Sequence, residues 1–113
     1  MNKSSLEATL LFQIRAVGLP EPVREFKAIP DRRYKWDFCW KKERLLVEVQ
    51  GSIWKGKNGG HSSGTGIMRD HEKNNLAVIE GYRVIYVNGN TIASGEAVSM
   101  IEMAIPHRRN YSR

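Results

Sequence analysis

The chain has 113 residues, 41% of them hydrophobic, and a formal net charge of +6, which fits one domain around one core and is too apolar for a disordered tail. No apolar run is long enough to cross a bilayer, Glu7 interrupts the short N-terminal apolar patch so that it does not read as a signal peptide, and the lone Cys39 excludes an internal disulfide or a cysteine-rich zinc site; a soluble, cytoplasmic protein with no membrane partner is expected. Eight of the 18 basic residues fall between Arg24 and Arg44, and a basic face of that kind attracts phosphate backbones.

In chain order, Leu6, Leu10, Ile14 and Val17 recur at helical spacing, which predicts a helix from Ser4 or Ser5 to Val17. A serine caps it, and Gly18 and Pro20 end it. Val23 to Ile29 reads as a strand, followed by a turn at Pro30 and Asp31. Tyr34 to Trp40 alternates, which puts Trp36, Phe38 and Trp40 on one face and Lys35, Asp37 and Cys39 on the other. Arg44 to Gln50 alternates as well, with Leu45, Val47 and Val49 opposite Leu46, Glu48 and Gln50. Lys41 to Arg44 joins the two runs into a hairpin.

Gly51 to Gly66 holds six of the ten glycines and reads as a long loop. Ile67 to Glu80 reads as a helix stopped by Gly81, Tyr82 to Val87 as a strand, and Ser94 to Ile105 as a final helix capped by Ser94 and closed by Pro106. The order is α-β-β-β-α-β-α. The strands flanking the middle helix should run parallel through a right-handed crossover, so the expected fold is α/β, a mixed sheet flanked by helices.

If Lys41 to Arg44 form a four-residue turn, Trp40 pairs with Leu45 and Asp37 pairs with Glu48. Their Cβ atoms would then sit roughly 4.5–5.5 Å apart on one face. Bare carboxylates that close repel, and a positive group between them relieves the repulsion. A magnesium ion, with oxygen ligands at about 2.0–2.1 Å, is the natural candidate, and the Val49 carbonyl offers another oxygen. The alternatives are that Lys35, Lys41 or Arg44 neutralises the pair, or that a shifted register separates the acids.

Gly51 to Asn58 nearly spells a phosphate-binding loop, but Asn58 stands where Ser or Thr should bind magnesium. Gly59 and Gly60 follow where a helix should begin. The segment retains Lys55, Lys57 and His61 among exposed glycines, a composition suited to gripping a nucleic-acid strand.

Trp36-Asp37-Phe38 followed by Val47-Glu48-Val49-Gln50, in this element order, resembles the PD-(D/E)XK nuclease superfamily and its restriction-endonuclease-like αβββαβ core. The block RRYKWDFCW…LLVEVQG…H…RDHEKNNLAVIEGYRVIYV looks especially like small phage and bacterial nucleases related to very-short-patch repair and VRR-type enzymes, some of which cut branched DNA. The resemblance covers most of the chain. It implies a Mg2+-dependent endonuclease, with Mn2+ able to substitute. Asp37, Glu48 and the Val49 carbonyl would hold the ion. Glu7 on the first helix matches an acid that acts through water, with Glu25 a lesser candidate. Gln50 departs from the pattern, since lysine is expected there; glutamine can orient a water but carries no charge. Lys73, on the next helix, is the candidate replacement for that charge, against a plain i,i+3 pairing with Asp70. His61 is a candidate contact to the scissile phosphate or an acid for the leaving group.

The resemblance further implies that Arg24, Arg32, Arg33, Lys35, Lys41, Lys42, Lys55 and Lys57 contact DNA phosphates, giving salt-sensitive binding with little sequence reading. Cutting both arms of a junction needs two active sites, which points to a homodimer. The absence of lysine at position 50 supports the rival expectation, a DNA-binding module of the same fold without catalysis.

Overall fold

In a computed structural model, residues 2–51 and 64–106 are described, and they form a four-stranded mixed open sheet flanked by helices. The elements are α1 (Lys3–Ala16), β1 (Val23–Phe26), β2 (Trp36–Trp40), β3 (Leu45–Gln50), α2 (Gly64–Ile79), β4 (Arg83–Asn88), α3 (Gly89–Ser94) and α4 (Glu96–Ala104). The sheet order is β1-β2-β3-β4; β1, β2 and β3 run antiparallel in turn, and β4 is parallel to β3. No helix among the described residues is long and apolar enough to cross a membrane.

Each face of the sheet has its own core. On one, Leu6, Leu10 and Ile14 of α1 meet Ile92 of α3, Val98 and Ile101 of α4, and Phe38, Trp40, Leu45, Val47 and Val49. On the other, Ala77 of α2 packs with Trp36, Cys39, Leu46, Tyr82, Ala28 and Ile29. A sheet covered on both faces explains why all five β2 residues are buried. Burial pushes the Cys39 thiol up to about 11, against Lys41 and Arg44, so at neutral pH it is a small apolar core group.

The hairpin turns at Lys41–Arg44, closed by the Arg44 N–H donating to the Lys41 carbonyl (3.1 Å), with Arg44 at φ 54°. Its register is Trp40↔Leu45, Cys39↔Leu46 and Phe38↔Val47, and one further step sets Asp37 opposite Glu48.

Several expectations are corrected. Trp36 does not share a face with Phe38 and Trp40; it packs with Cys39 on the α2 side. The cause lies on the facing strand, where Glu25 takes φ 52°. On either side of it, Arg24 pairs with Phe38 and lies over its ring, while Phe26 pairs with Trp36 and packs into the opposite core. The two strands therefore roll over between these rungs, at the level of Glu25 and Asp37. β1 ends at Phe26 rather than Ile29.

The first helix is capped by Asn2, whose side chain accepts from the Ser5 N–H, rather than by a serine. The middle helix starts at Gly64, ahead of the expected Ile67. The expected final helix is α4, and a short helix that was not expected, α3, precedes it, the two separated at Gly95 with φ 87°. Asn88 and Thr91 form a reciprocal capping box at the start of α3, and Ser94 is the last residue of α3, its Oγ accepting from the Glu96 N–H at the start of α4 (3.2 Å).

Candidate functional site

Four acids from four elements meet in one hollow of about 570 Å³, lined by Glu7 of α1, Glu25 of β1, Asp37 of β2 and Glu48 of β3, with Lys3, Lys35 and Lys73 around them. Each element places its acid for a local reason. Glu7 follows Leu6 on the core-facing stripe of α1 and is itself buried. Glu25 and Asp37 stand where β1 and β2 roll over. Glu48 lies two residues beyond buried Leu46 on β3 and faces α2, which carries Lys73.

Each acid has its own cation. Arg24 donates to Glu7 (3.0 Å), Lys35 lies 3.9 Å from Glu25, Lys3 3.2 Å from Asp37, and Lys73 3.0 Å from Glu48. Asp37 is also fixed by the backbone: the Val49 N–H donates to its Oδ2 at 2.7 Å. The contact Val49 makes with the site is thus through its N–H, beside the carbonyl oxygen expected to serve as a ligand. Lys73 also donates to the Lys35 carbonyl (2.9 Å) and lies 4.8 Å from the centre of the Trp36 ring. It reaches into the hollow toward Glu48, and Asp70 lies in the adjoining one.

The acids crowd one another despite these cations. Burial first, then the neighbouring Asp37, pushes the Glu7 carboxyl above its ordinary range, with Arg24 and Lys3 acting against it. Burial and Asp37 likewise raise Glu48, opposed by Lys73 and Lys3. Burial alone would lower Lys3, but Asp37, Glu48 and Glu7 outweigh it and hold its ammonium charged.

Two groupings could hold a cation, and they share Asp37. Carboxylate oxygens of Glu7, Glu25 and Asp37 all lie within 4.8 Å of one another, which makes Glu25 more central than its sequence suggests. Asp37 and Glu48 are the pair expected from the hairpin. Glu48 is half satisfied: Oε2 accepts from Lys73, while Oε1 is buried with no hydrogen-bond partner among the described residues. An oxygen-only donor set with an unmatched carboxylate oxygen fits a hard divalent cation.

Of the other candidates, Gln50 lines a neighbouring hollow rather than the carboxylate one. Lys55, Lys57 and His61 lie outside the described residues. Arg24 and Lys35 belong to the acid cluster, and Arg32 pairs with Glu72 of α2. Lys41 lies over the Phe26 ring, Lys42 lines a hollow at the hairpin, and Arg33 is exposed. Lys3 was missed by the sequence reading, although a signal existed: it stands four residues before Glu7, on the same helix face.

Compared with family models, with curated proteins and with solved structures, the chain gave no match.

Proposed function

We propose that this chain is a metal-dependent endodeoxyribonuclease of the PD-(D/E)XK type that hydrolyses phosphodiester bonds in branched or otherwise irregular DNA. The observation that carries this reading is the convergence of Asp37 and Glu48 in one hollow, with Lys73 on Glu48 and a Glu48 oxygen left without a donor among the described residues. The α-β-β-β-α-β order, with β4 parallel to β3 and β1 to β3 antiparallel, supports a restriction-endonuclease-like core.

Asp37 and Glu48 would hold Mg2+ or Mn2+, with Glu7 and Glu25 beside them. A bound divalent cation supplies an activated water and polarises the phosphoryl oxygen. Asp37 is oriented by the Val49 N–H, which fixes its carboxylate plane before any ligand arrives. Lys73, lying between Glu48 and the Trp36 ring, would offset the negative charge that builds on the phosphoryl oxygens. It takes over the charge absent at Gln50. Gln50 lines the next hollow, so its amide is assigned to the substrate rather than to the attacking water. Lys3 and Lys35 at the rim, together with Arg33, Lys41 and Lys42, receive the flanking phosphates, which gives affinity that falls with salt. Cleaving both arms of a junction requires two copies of the chain.

A panel of linear, nicked, flapped and four-way DNA, and RNA of matching shape, incubated with magnesium or manganese, tests this reading. Cleavage of branched DNA ahead of linear duplex and RNA is expected. Binding without cutting in either metal would leave a DNA-binding module of the same fold.

A further inference from the structure

Beside the carboxylate hollow lies a second one of about 450 Å³ between α2 and β4, lined by Gln50, Asp70, His71, Asn74, Asn75 and Tyr86. The two adjoin along the same elements. Gln50 stands two residues beyond Glu48 on β3, Asn74 follows Lys73 on α2, and Tyr86 is paired with Glu48 across β3 and β4. Two strand residues span about 6.6 Å, comparable to one nucleotide unit along a strand.

The chemistry of the two hollows differs. The carboxylate hollow carries Lys3, Lys35 and Lys73, groups that receive phosphate. Among the described residues the second has no lysine or arginine in its lining, and Asp70 there would repel an anion, so these groups favour an uncharged ligand over phosphate. It offers three primary amides, an imidazole and a phenol. Each amide sets a donor beside an acceptor, the arrangement found on the edge of a nucleobase. The Tyr86 ring is 43% exposed and presents a face on which a base can stack.

We propose that this hollow receives an unpaired nucleobase adjacent to the phosphate held among the carboxylates. The proposal rests on the nuclease reading and deepens it by naming what selects the substrate. A base inside a duplex must be unstacked and unpaired before it can enter, whereas a base at a bulge, flap or branch point is already free of that cost. Preference for irregular DNA is then located in Gln50, Asn74 and Tyr86 rather than in the basic surface.

The test is fluorescence anisotropy in EDTA, where nothing is hydrolysed, comparing a bulged DNA with a fully paired duplex of equal length. The wild-type protein should bind the bulged DNA about tenfold more tightly, the weight of one stacked base. An abasic site at the bulge should remove that difference. Tyr86→Ala and Asn74→Ala should lose the preference while duplex affinity stays within about twofold, and Tyr86→Phe should keep it. Asn74→Ala places a strong helix former at a half-exposed position of α2, so folding is not at stake. Equal wild-type affinity for both DNAs, or variants that weaken both alike, would overturn the base pocket. Because Asp37→Asn should retain the preference, loss of preference alongside normal metal-dependent nicking rejects the pocket alone. Preserved preference without nicking rejects hydrolysis alone.

Discussion

Lys73 Nζ lies 3.0 Å from Glu48 Oε2, and the other Glu48 oxygen, Oε1, is buried without a hydrogen-bond partner among the described residues. The pair joins α2 to β3 at the site and sets an ammonium directly on the Glu48 carboxylate. Lys73→Gln keeps a chain of similar length and removes the charge. Its cleavage rate should fall by about 10²–10³-fold, the range seen when one stabilising donor is removed. DNA affinity should change little. Lys73→Arg should recover part of the rate; a Lys73→Gln protein that cuts at the wild-type rate would remove Lys73 from the chemistry.

Lys3 occupies Asp37 Oδ1 at 3.2 Å, and a divalent cation binding to Asp37 must displace it or share with it. Lys3 is 44% exposed, so solvent weakens the pair. Lys3→Met should therefore tighten manganese binding modestly, up to about fivefold by calorimetry. Weaker binding would mean that Lys3 supports the site rather than competing for it.

Stability should respond to pH through Glu7 and Glu48. Both are acids whose folded-state pKa is raised above the ordinary value of 4.5, chiefly by burial and then by Asp37. The folded protein thus binds more protons than the unfolded chain between 4.5 and the raised values, and stability falls as pH rises through that window. Metal-free protein should show a higher Tm at the lower edge of the window than at neutral pH, and the Glu7→Gln/Glu48→Gln double variant should flatten this slope. Magnesium should raise Tm at neutral pH and lose its effect as protons compete for the same oxygens. A slope unchanged in the double variant would assign it to other groups.

Gly95 separates α3 from α4 at φ 87°, with open space where a Cβ would go. The cost of Gly95→Ala is then one of backbone conformation alone, about 1–2 kcal/mol. Chemical denaturation should show that loss with cleavage unaffected, because α3 and α4 reach the site only through the core beneath it.

The hairpin register was legible because a four-residue connection between two alternating runs fixes which residues face each other, and Trp40↔Leu45 follows from it. The face of Trp36 was not legible. Alternation assumes an unbroken pleat, and the positive φ that breaks it belongs to Glu25 on the neighbouring strand, where nothing in the local sequence calls for it. The same roll brings Glu25 within 4.8 Å of Glu7 and Asp37, so its place in the cluster, which the resemblance implied only as a lesser candidate, could not be read from the spacing. The short α3 was not legible because Ile92 is its single buried residue, too little to mark a helical period. The Asn88 cap lay concealed as the last residue of a strand. The second hollow draws its lining from β3, α2 and β4, and only the fold brings those residues together.

The central claim is that Asp37 and Glu48 act together on a divalent cation to break DNA. Nicking of supercoiled plasmid with manganese, followed beside DNA binding for wild type, Asp37→Asn and Glu48→Gln, tests it most directly. The account predicts that wild type converts supercoiled to open-circular DNA, and that each variant still binds but nicks at least ~100-fold more slowly. Equal nicking by the variants, or none by the wild type in manganese or magnesium, would contradict it.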